Sequence, residues 1–286
     1  MGIAMLWQTA RFALDLRARP LVMGIVNTTP DSFSDGGRDT AAAIAHAERL
    51  CAEGADILDI GGESTRPGSQ MPSVEEELCR VLPVVRQAVR WGVPVSVDTS
   101  RPEVIRAVLE AGADIVNDVR ALTWPGALAA VQAFPGVGVC LMHMQGQPAT
   151  MQANPCYEEA NGGVVGEVRA FLADRLAAVT AAGVAPACIT LDPGYGFGKS
   201  QAHNLALWRA QRELLALGRP LLVGWSRKGT LGQITGRPVG ERLVASVSAA
   251  LASVALGARI VRVHDVAATV DALKVWQAAG LDDVQP

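Results

Sequence analysis

Eight apolar runs, each about as long as a buried strand, alternate along the chain with stretches whose apolar residues return to one helical face. Runs without polar alternation are typical of parallel strands that are buried on both sides. The stretch from Leu243 to Val254 illustrates the helical spacing. The runs are Leu21 to Val26, Asp56 to Ile60, Pro94 to Val97, Asp114 to Val116, Val137 to Met142, Cys188 to Leu191, Pro220 to Val223 and Arg259 to Val263. The alternation predicts successive βαβ units.

Helix start and stop signals agree with this pattern. Ser73 and Glu76 have the spacing of a capping box, which marks the start of a helix. Glycines just before six of the strand runs mark helix ends: Gly54, Gly92, Gly112, Gly183, Gly218 and Gly257. Eight such units in 286 residues fit a closed barrel, which needs about 250 residues. An open doubly wound sheet is the alternative, although no GxGxxG motif follows the first run.

The sequence therefore predicts an α/β protein with a (β/α)8 TIM barrel fold. We expect a single domain over residues 1–286, with a short N-terminal extension at 1–19 and the barrel at 20–280. The two ends of the barrel differ in function. The carboxyl ends of all eight strands meet at one rim, and that rim carries the active site in barrel enzymes.

Composition narrows the class of partner. The net charge is -3 and no run of lysines and arginines occurs, so we expect no nucleic acid partner. The longest uncharged stretch, Leu243 to Ala258, is too short and too polar to span a bilayer, so we expect no membrane association. The five cysteines contain no CxxC pair, which favours reduced thiols in a cytoplasmic protein.

Polar residues follow the strand runs at nearly every exit. In a barrel these residues converge on one pocket although they lie far apart in sequence. A long polar loop, NTTPDSFSDGG, begins at the first exit. The residues at the exits are Asn27, Glu63, Asp98, Asn117, His143, Asp192, Lys228, Arg262 and His264.

The rim offers two kinds of chemistry. Asp98, Asn117 and Asp192 can accept the parallel donors of a flat heterocycle that resembles guanine or a pterin. Arg262 and His264, together with Lys228, Ser226 and Asn27, can hold phosphate oxygens. Ordinary structural roles stay open for single residues: Asp98 could cap the helix that begins near Pro102, and Arg262 could pair with Asp265.

Eight strings in the chain resemble, in order, the motifs of the dihydropteroate synthase family. They are GIVNTTPDSFSDGG, GGESTRPG, SVDTS, NDV, MHMQGQP, DPGYGFGKSQAHN, SRK and VRVHD, and they run from residue 24 to residue 265. The resemblance implies a (β/α)8 barrel that joins 6-hydroxymethyl-7,8-dihydropterin diphosphate to p-aminobenzoate with loss of diphosphate. It also implies that sulfonamides compete with p-aminobenzoate.

The resemblance assigns roles to individual residues. Pterin binding is implied for Asp98, Asn117, Met142, Asp192, Phe197 and Lys228. Diphosphate binding is implied for Asn27, Ser64, Arg262 and His264, with a Mg²⁺ ion that takes Asn27 as its protein ligand. The p-aminobenzoate slot is implied for Phe33, Thr65, Pro67 and Lys228. Catalytic roles are implied for Asp35, Lys228, Arg262 and His264.

Other readings remain open at this point. A plain core role for Met142 is an alternative to pterin contact. The resemblance implies a homodimer, and the Ala- and Ser-rich stretches from Glu241 to Gly257 and from Val266 to Ala279 could pack across its two-fold axis. Related pterin-binding barrels of methyltransferases, and a catalytically silent pterin-binding paralogue, are the competing functions.

Overall fold

The computed structural model describes residues 5–29, 36–64 and 69–281, with the backbone alone described for residues 36–39. Its centre is a sheet of eight parallel strands. In chain order the strands are β3 (Leu21–Asn27), β4 (Ile57–Gly61), β5 (Val95–Asp98), β6 (Ile115–Asp118), β7 (Gly138–Met142), β8 (Ile189–Asp192), β9 (Leu222–Val223) and β10 (Ile260–Val263). Each predicted run therefore overlaps a strand of the sheet.

The sheet closes on itself. Its strand order is β8-β7-β6-β5-β4-β3-β10-β9, and a parallel bridge between Leu191 and Leu221 joins the last strand pair. The backbone N–H of Leu191 donates to the carbonyl of Pro220 across the same seam, at 3.0 Å. The predicted (β/α)8 barrel is confirmed, and the open doubly wound sheet is excluded because no edge is left at this seam.

Helices surround the barrel in the described residues. They are α1 (Gly36–Ala52), α2 (Val74–Ala88), α3 (Pro102–Glu110), α4 (Ala127–Gln132), α5 (Gly163–Ala181), α6 (Gln201–Arg209), α7 (Gly229–Thr235), α8 (Leu243–Ala255) and α9 (Val266–Ala278). Glu76 donates its backbone N–H to the side chain of Ser73 at the start of α2, and the Glu76 carboxylate accepts from the Ser73 N–H, so the capping box is confirmed. All six predicted glycine stops have a positive φ. No described helix has both the length and the apolar character that a bilayer span requires.

Alternation along the strands divides the barrel interior into an apolar lower layer and a polar upper layer. Met23, Ile57, Ile115, Cys140 and Ile260 pack together in the lower layer. Two residues further along three of these strands, the inward side chains are polar: Asp59, Asn117 and Arg262. The lower layer supplies the packing, and the upper layer forms the floor of the rim.

The first 19 residues, predicted as an extension, include a hairpin that closes the lower end of the barrel. Strands β1 (Leu6–Gln8) and β2 (Ala13–Asp15) pair antiparallel, and Trp7 is fully buried against the lower layer. The Trp7 indole N–H donates to the Cys188 carbonyl at 2.8 Å. Arg11 binds both carboxylate oxygens of Asp114, at 2.8 and 2.7 Å. The hairpin is therefore part of the core.

We expect Trp7→Phe to lower the free energy of unfolding by about 1–3 kcal/mol, because it leaves a void and a buried carbonyl without its donor. Urea unfolding followed by circular dichroism measures this difference. Trp91→Phe, at a half-buried position, is the control and should lose less. Equal losses at the two positions would contradict a role for the hairpin in closing the barrel.

Candidate active site

A cavity of about 1330 Å³ opens at the carboxyl ends of the strands. All predicted site residues in the described part of the chain line it: Asn27, Ser64, Asp98, Asn117, Met142, Asp192, Phe197, Lys228, Arg262 and His264. Asp35, Phe33, Thr65 and Pro67 lie outside the described residues. The structure therefore brings together the two predicted kinds of chemistry in one place.

Asp192 and Asn117 are buried acceptors whose orientation is set by hydrogen bonds. The Asp192 Oδ1 atom accepts from the backbone N–H of Gly194 at 2.7 Å, which fixes the carboxylate at the end of β8. The Asn117 side-chain N–H donates to Asp59 at 3.2 Å. This bond assigns the amide, and it leaves the Asn117 carbonyl oxygen as an acceptor for a ligand. A flat heterocycle with several donors can therefore be held edge-on.

Asp59 is a site residue that the sequence analysis missed. It is fully buried in β4 and accepts from Ser96 Oγ at 2.6 Å, from Asn117 Nδ2 at 3.2 Å and from Arg262 Nε at 2.6 Å. The signal in the sequence was a carboxylate inside the apolar run Asp56 to Ile60. Because buried charges need partners, such a residue marks a polar layer.

Arg262 lies inside the barrel and bridges two carboxylates. Its Nε atom donates to Asp59, and its Nη2 atom donates to Asp98 at 2.9 Å. Both structural alternatives from the sequence are wrong. Asp265 pairs with Arg227 instead, at 2.5 Å, because Arg262 points inward from β10. The N-cap position of α3 is Arg101, and its side chain makes no capping hydrogen bond. Asp98 therefore does not cap this helix.

Burial and neighbouring charges shift the pKa values of the site in opposing directions. Burial raises the pKa of Asp98 to about 8, opposed by Arg262 and reinforced by Asp59. Burial also raises the pKa of Asp192, opposed chiefly by Lys228. Burial lowers the pKa of Lys228 to about 8, and Asp192 opposes this shift. Within the upper layer, Arg262 therefore stabilises the ionised form of Asp98, and Asp192 and Lys228 stabilise each other's charge.

Lys228 and Phe197 form one wall of the cavity. Lys228 immediately precedes α7, and its Nζ lies 4.7 Å from the centre of the Phe197 ring. The same Nζ donates to the Tyr195 carbonyl. The lysine is thus held against the loop that follows β8, with its charge close to Asp192.

His264, Ser226, Asn27 and Ser64 lie on the anion-binding half predicted from the sequence. The backbone N–H of His264 donates to Ser226 Oγ at 3.1 Å, and the His264 Nδ1 lies 3.0 Å from the same oxygen. This pair of contacts fixes the ring after β10. Asn27 ends β3, and Ser64 stands where the described residues break off before position 65. Hydroxyl, imidazole and amide groups therefore line this side.

Two predicted strand exits have other partners. Glu63 lines the cavity but pairs with Arg120 at 3.2 Å. His143 is buried, and its ring packs edge-on against Phe171 with the centroids 5.0 Å apart. Burial and the charge of Lys199 lower the pKa of His143 to about 2, so its ring is neutral. His143 therefore supports the loop behind the cavity.

The fold and the polar groups that line the cavity define the class of the protein. The model of a family described as "Pterin binding enzyme" matches residues 23–264, and the chain belongs to this family. A barrel that presents carboxylates and an amide to a flat ring is consistent with that family. Within it, the chain is a dihydropteroate synthase, a transferase, and the resemblance seen in the eight sequence strings is confirmed.

Three similar proteins support this narrower assignment. Dihydropteroate synthase of Neisseria meningitidis serogroup B is 55% identical over 284 residues, which cover 96% of this chain and 98% of the relative. The Xanthomonas albilineans enzyme solved with 4-aminobenzoic acid is 51% identical, covers 96% of both chains and has a TM-score of 0.87. The Yersinia pestis enzyme solved with a sulfonamide drug is 46% identical, covers 96% of this chain and 99% of its own, and has a TM-score of 0.90.

Proposed function

We propose that the protein condenses 6-hydroxymethyl-7,8-dihydropterin diphosphate with p-aminobenzoate, giving 7,8-dihydropteroate and diphosphate. The observation that carries this proposal is the polar upper layer of the barrel. Asp98, Asn117 and Asp192 line the same cavity as Lys228 and Arg262. Acceptors for a pterin edge and cations for a leaving anion therefore lie within one site.

The pterin half of the proposal rests on hydrogen-bond matching. The Asp192 carboxylate accepts from the amino group and ring N–H, while Asn117 and Asp98 serve the remaining edge. Lys228 donates to the ring carbonyl. Met142 and Phe197 provide apolar contacts to the ring faces, and both line the cavity. A ring with a different order of donors would leave buried acceptors unpaired, which is costly.

The anion half uses Asn27, Ser64, Arg262 and His264 for diphosphate. Two of the N–H groups of Arg262 bind Asp59 and Asp98, and the guanidinium has further N–H groups for a ligand. The described residues contain no group of three His, Cys, Asp or Glu side chains that could cage a metal. One amide ligand at Asn27 suits Mg²⁺ that is held mainly by diphosphate and water. When bound, Mg²⁺ would neutralise charge on the departing diphosphate.

The chemistry needs little beyond position and charge. The bond between the exocyclic carbon and oxygen breaks, and its electron pair leaves with diphosphate, which Arg262 and His264 stabilise. The arylamine nitrogen of p-aminobenzoate bonds to that carbon and then loses a proton. We assign Asp35 to stabilising the positive charge at the carbon, and Phe33, Thr65, Pro67 and the stem of Lys228 to the p-aminobenzoate slot. Positioning and electrostatic stabilisation supply most of the rate.

The decisive test is release of diphosphate by the purified protein with pterin diphosphate, p-aminobenzoate and Mg²⁺. We expect release that depends on p-aminobenzoate and is competitively inhibited by a sulfonamide. Release without dependence on p-aminobenzoate would contradict the proposal. Pterin binding without turnover would favour the silent paralogue, and transfer of a methyl group to a corrinoid protein would favour the methyltransferase reading.

Removal of magnesium tests the metal part of the proposal. We expect excess EDTA to slow diphosphate release at least about 10-fold, because charge on the leaving group is then less well neutralised. Added Mg²⁺ should restore the rate, and EDTA preloaded with Mg²⁺ is the control. A rate that EDTA leaves unchanged would remove Mg²⁺ from the mechanism.

The proposed homodimer uses the outer face of α8 and neighbouring segments. Apolar side chains are exposed there, with exposed fractions of 77% for Val244, 45% for Leu243 and 60% for Val239, and Val275 on α9 is 71% exposed. Exposed apolar side chains on adjacent elements are typical of an interface between copies. Contacts between α8 and α9 place Val275 on the helix next to α8.

We expect Val244→Glu to shift the protein from dimer to monomer at micromolar concentration, because a charge would have to be buried at the interface. Sedimentation velocity measures the change. Leu6→Glu is the control, since Leu6 is also exposed but lies at the opposite end of the barrel. An unchanged dimer in Val244→Glu would place the interface elsewhere.

A cytoplasmic location is the remaining part of the proposal. All five cysteines are free thiols, and two of them, Cys140 and Cys188, are buried beside the barrel strands. Buried thiols of this kind are typical of proteins from a reducing compartment. Fractionation of cells that express the tagged protein would test the location.

A further inference from the structure

The loop that follows β8 is pressed against the exit of β7. Gly194, Gly196 and Gly198 have positive φ values of 67°, 82° and 61°. A Cβ atom on Gly194 would overlap the His143 carbonyl, and one on Gly198 would overlap the Gln145 carbonyl. Glycine at these two positions therefore lets the loop backbone lie closer to the segment after β7 than any residue with a Cβ atom would allow. This loop carries Phe197, and its backbone contacts Lys228.

Lys199 lies at the end of this loop and is buried in the wall of the cavity, which it lines. Only 2% of the residue is exposed. Its Nζ has three acceptors within 3.1 Å, which are the Gly194 carbonyl at 2.9 Å, the Phe197 carbonyl at 3.1 Å and His143 Nδ1 at 2.9 Å, and the His143 carbonyl is a more distant fourth at 3.4 Å. Three acceptors match the three protons of an ammonium group. The neutral ring of His143 completes this set because its Nδ1 can accept.

We propose that Lys199 is a positioning residue for the pterin, which fastens the loop of residues 193–198 to His143. The inference rests on the proposed function, which makes Asp192 and Phe197 pterin contacts. Lys199 itself need not touch the substrate. It acts by fixing the two groups that do.

The charges around Asp192 support this role. Burial lowers the pKa of Lys199 well below its ordinary value, but the attraction of Asp192 opposes the shift. In return, Lys199 lowers the pKa of Asp192, as Lys228 and Arg262 also do. Both lysines line the cavity, but Lys228 is assigned to the substrate, whereas the Lys199 Nζ lies among acceptors from the loop and from His143. Its hydrogen bonds therefore act on the loop and on His143, whatever the substrate contacts.

Lys199→Met in the full-length protein is the direct test, because Met keeps the length of the side chain without donors or charge. We expect the Kd for 6-hydroxymethyl-7,8-dihydropterin diphosphate to rise about 10- to 100-fold, from the loss of hydrogen bonds made by a charged group. Turnover at saturating substrates should fall less than about 3-fold. Lys274→Met is the control, since Lys274 is exposed on α9.

His143, which contacts Lys199 through Nδ1, provides a second test in which one variant should restore the affinity that another loses. Asn and Leu have similar size, but only Asn offers an acceptor near the position of Nδ1. We expect His143→Leu to weaken pterin binding as Lys199→Met does, and His143→Asn to restore most of the affinity. If Lys199→Met fails to fold, this pair decides the question.

Unchanged pterin affinity in Lys199→Met, or equal weakening in both His143 variants, would overturn the inference. A fall in turnover without a change in Kd would overturn it as well. The proposed function is judged separately by diphosphate release from the unmodified protein. An active unmodified protein with unaffected variants would therefore refute the role of Lys199 alone.

Discussion

Asp192→Asn is expected to weaken binding of the pterin diphosphate by about 2–4 kcal/mol, or roughly 30- to 1000-fold in Kd. One carboxylate oxygen of Asp192 accepts from the Gly194 N–H at 2.7 Å. If the variant amide turns its oxygen to Gly194, its NH₂ group faces the donors of the pterin. If it turns the other way, the NH₂ group faces the Gly194 N–H. Either orientation sets a donor against a donor.

Isothermal titration calorimetry with the pterin diphosphate measures this effect directly. Asp271→Asn is the matched control, because Asp271 is exposed on α9 and pairs only loosely with Lys274, at 3.8 Å. Near-normal affinity of the Asp192 variant would show that this carboxylate does not receive the pterin donors.

Arg262→Met is expected to lower the free energy of unfolding by about 3–5 kcal/mol and to abolish measurable turnover. The guanidinium is the cation shared by Asp59 and Asp98, and the Asp59 side chain is fully buried. Removing it leaves buried negative charge without its partner, which costs more than the loss of the contact itself. Burial lowers the pKa of Arg262, but the charges of Asp59 and Asp98 outweigh burial and raise the pKa overall, so the guanidinium is charged throughout the accessible pH range.

Urea unfolding at equilibrium measures the loss, and two further variants interpret it. Arg227→Met removes the more exposed pair with Asp265 and should cost no more than about 1 kcal/mol. Adding Asp59→Asn to Arg262→Met should recover most of the stability, because it removes the buried charge of Asp59, the amide oxygen can still accept from Asn117, and the Ser96 hydroxyl can accept from the amide nitrogen. Similar losses in the Arg262 and Arg227 variants, or no recovery in the double variant, would show that the buried charge is not the cause.

The barrel and most of its rim could be predicted because they follow from local patterns. Apolar runs, glycine stops and the Ser73 capping box depend on a few neighbouring residues each, and the structure confirms them. Once the strands are parallel and closed, their carboxyl ends must share one rim. It could therefore be predicted, without knowledge of tertiary contacts, that one cavity is lined by Asp98, Asn117 and Asp192.

The partners of these residues could not be predicted in the same way. Asp59 and Arg262 are 203 positions apart and meet only because β4 and β10 both pair with β3 and direct these side chains into the barrel. Sequence proximity favoured Asp265 as the partner of Arg262, but strand alternation turns Arg262 inward. Lys199 and His143 are likewise joined only through the packing of two rim loops.

The sequence by itself determined the eight-fold alternation, the family and the residues that reach the rim, because periodicity and motif order are properties of the chain. Only the tertiary structure decided which charges neutralise one another and which side chains support the pocket from behind. The hairpin that buries Trp7 is another such decision. Pairing inside a barrel depends on strand register and on the direction of each side chain, and neither is written in any short segment of the sequence.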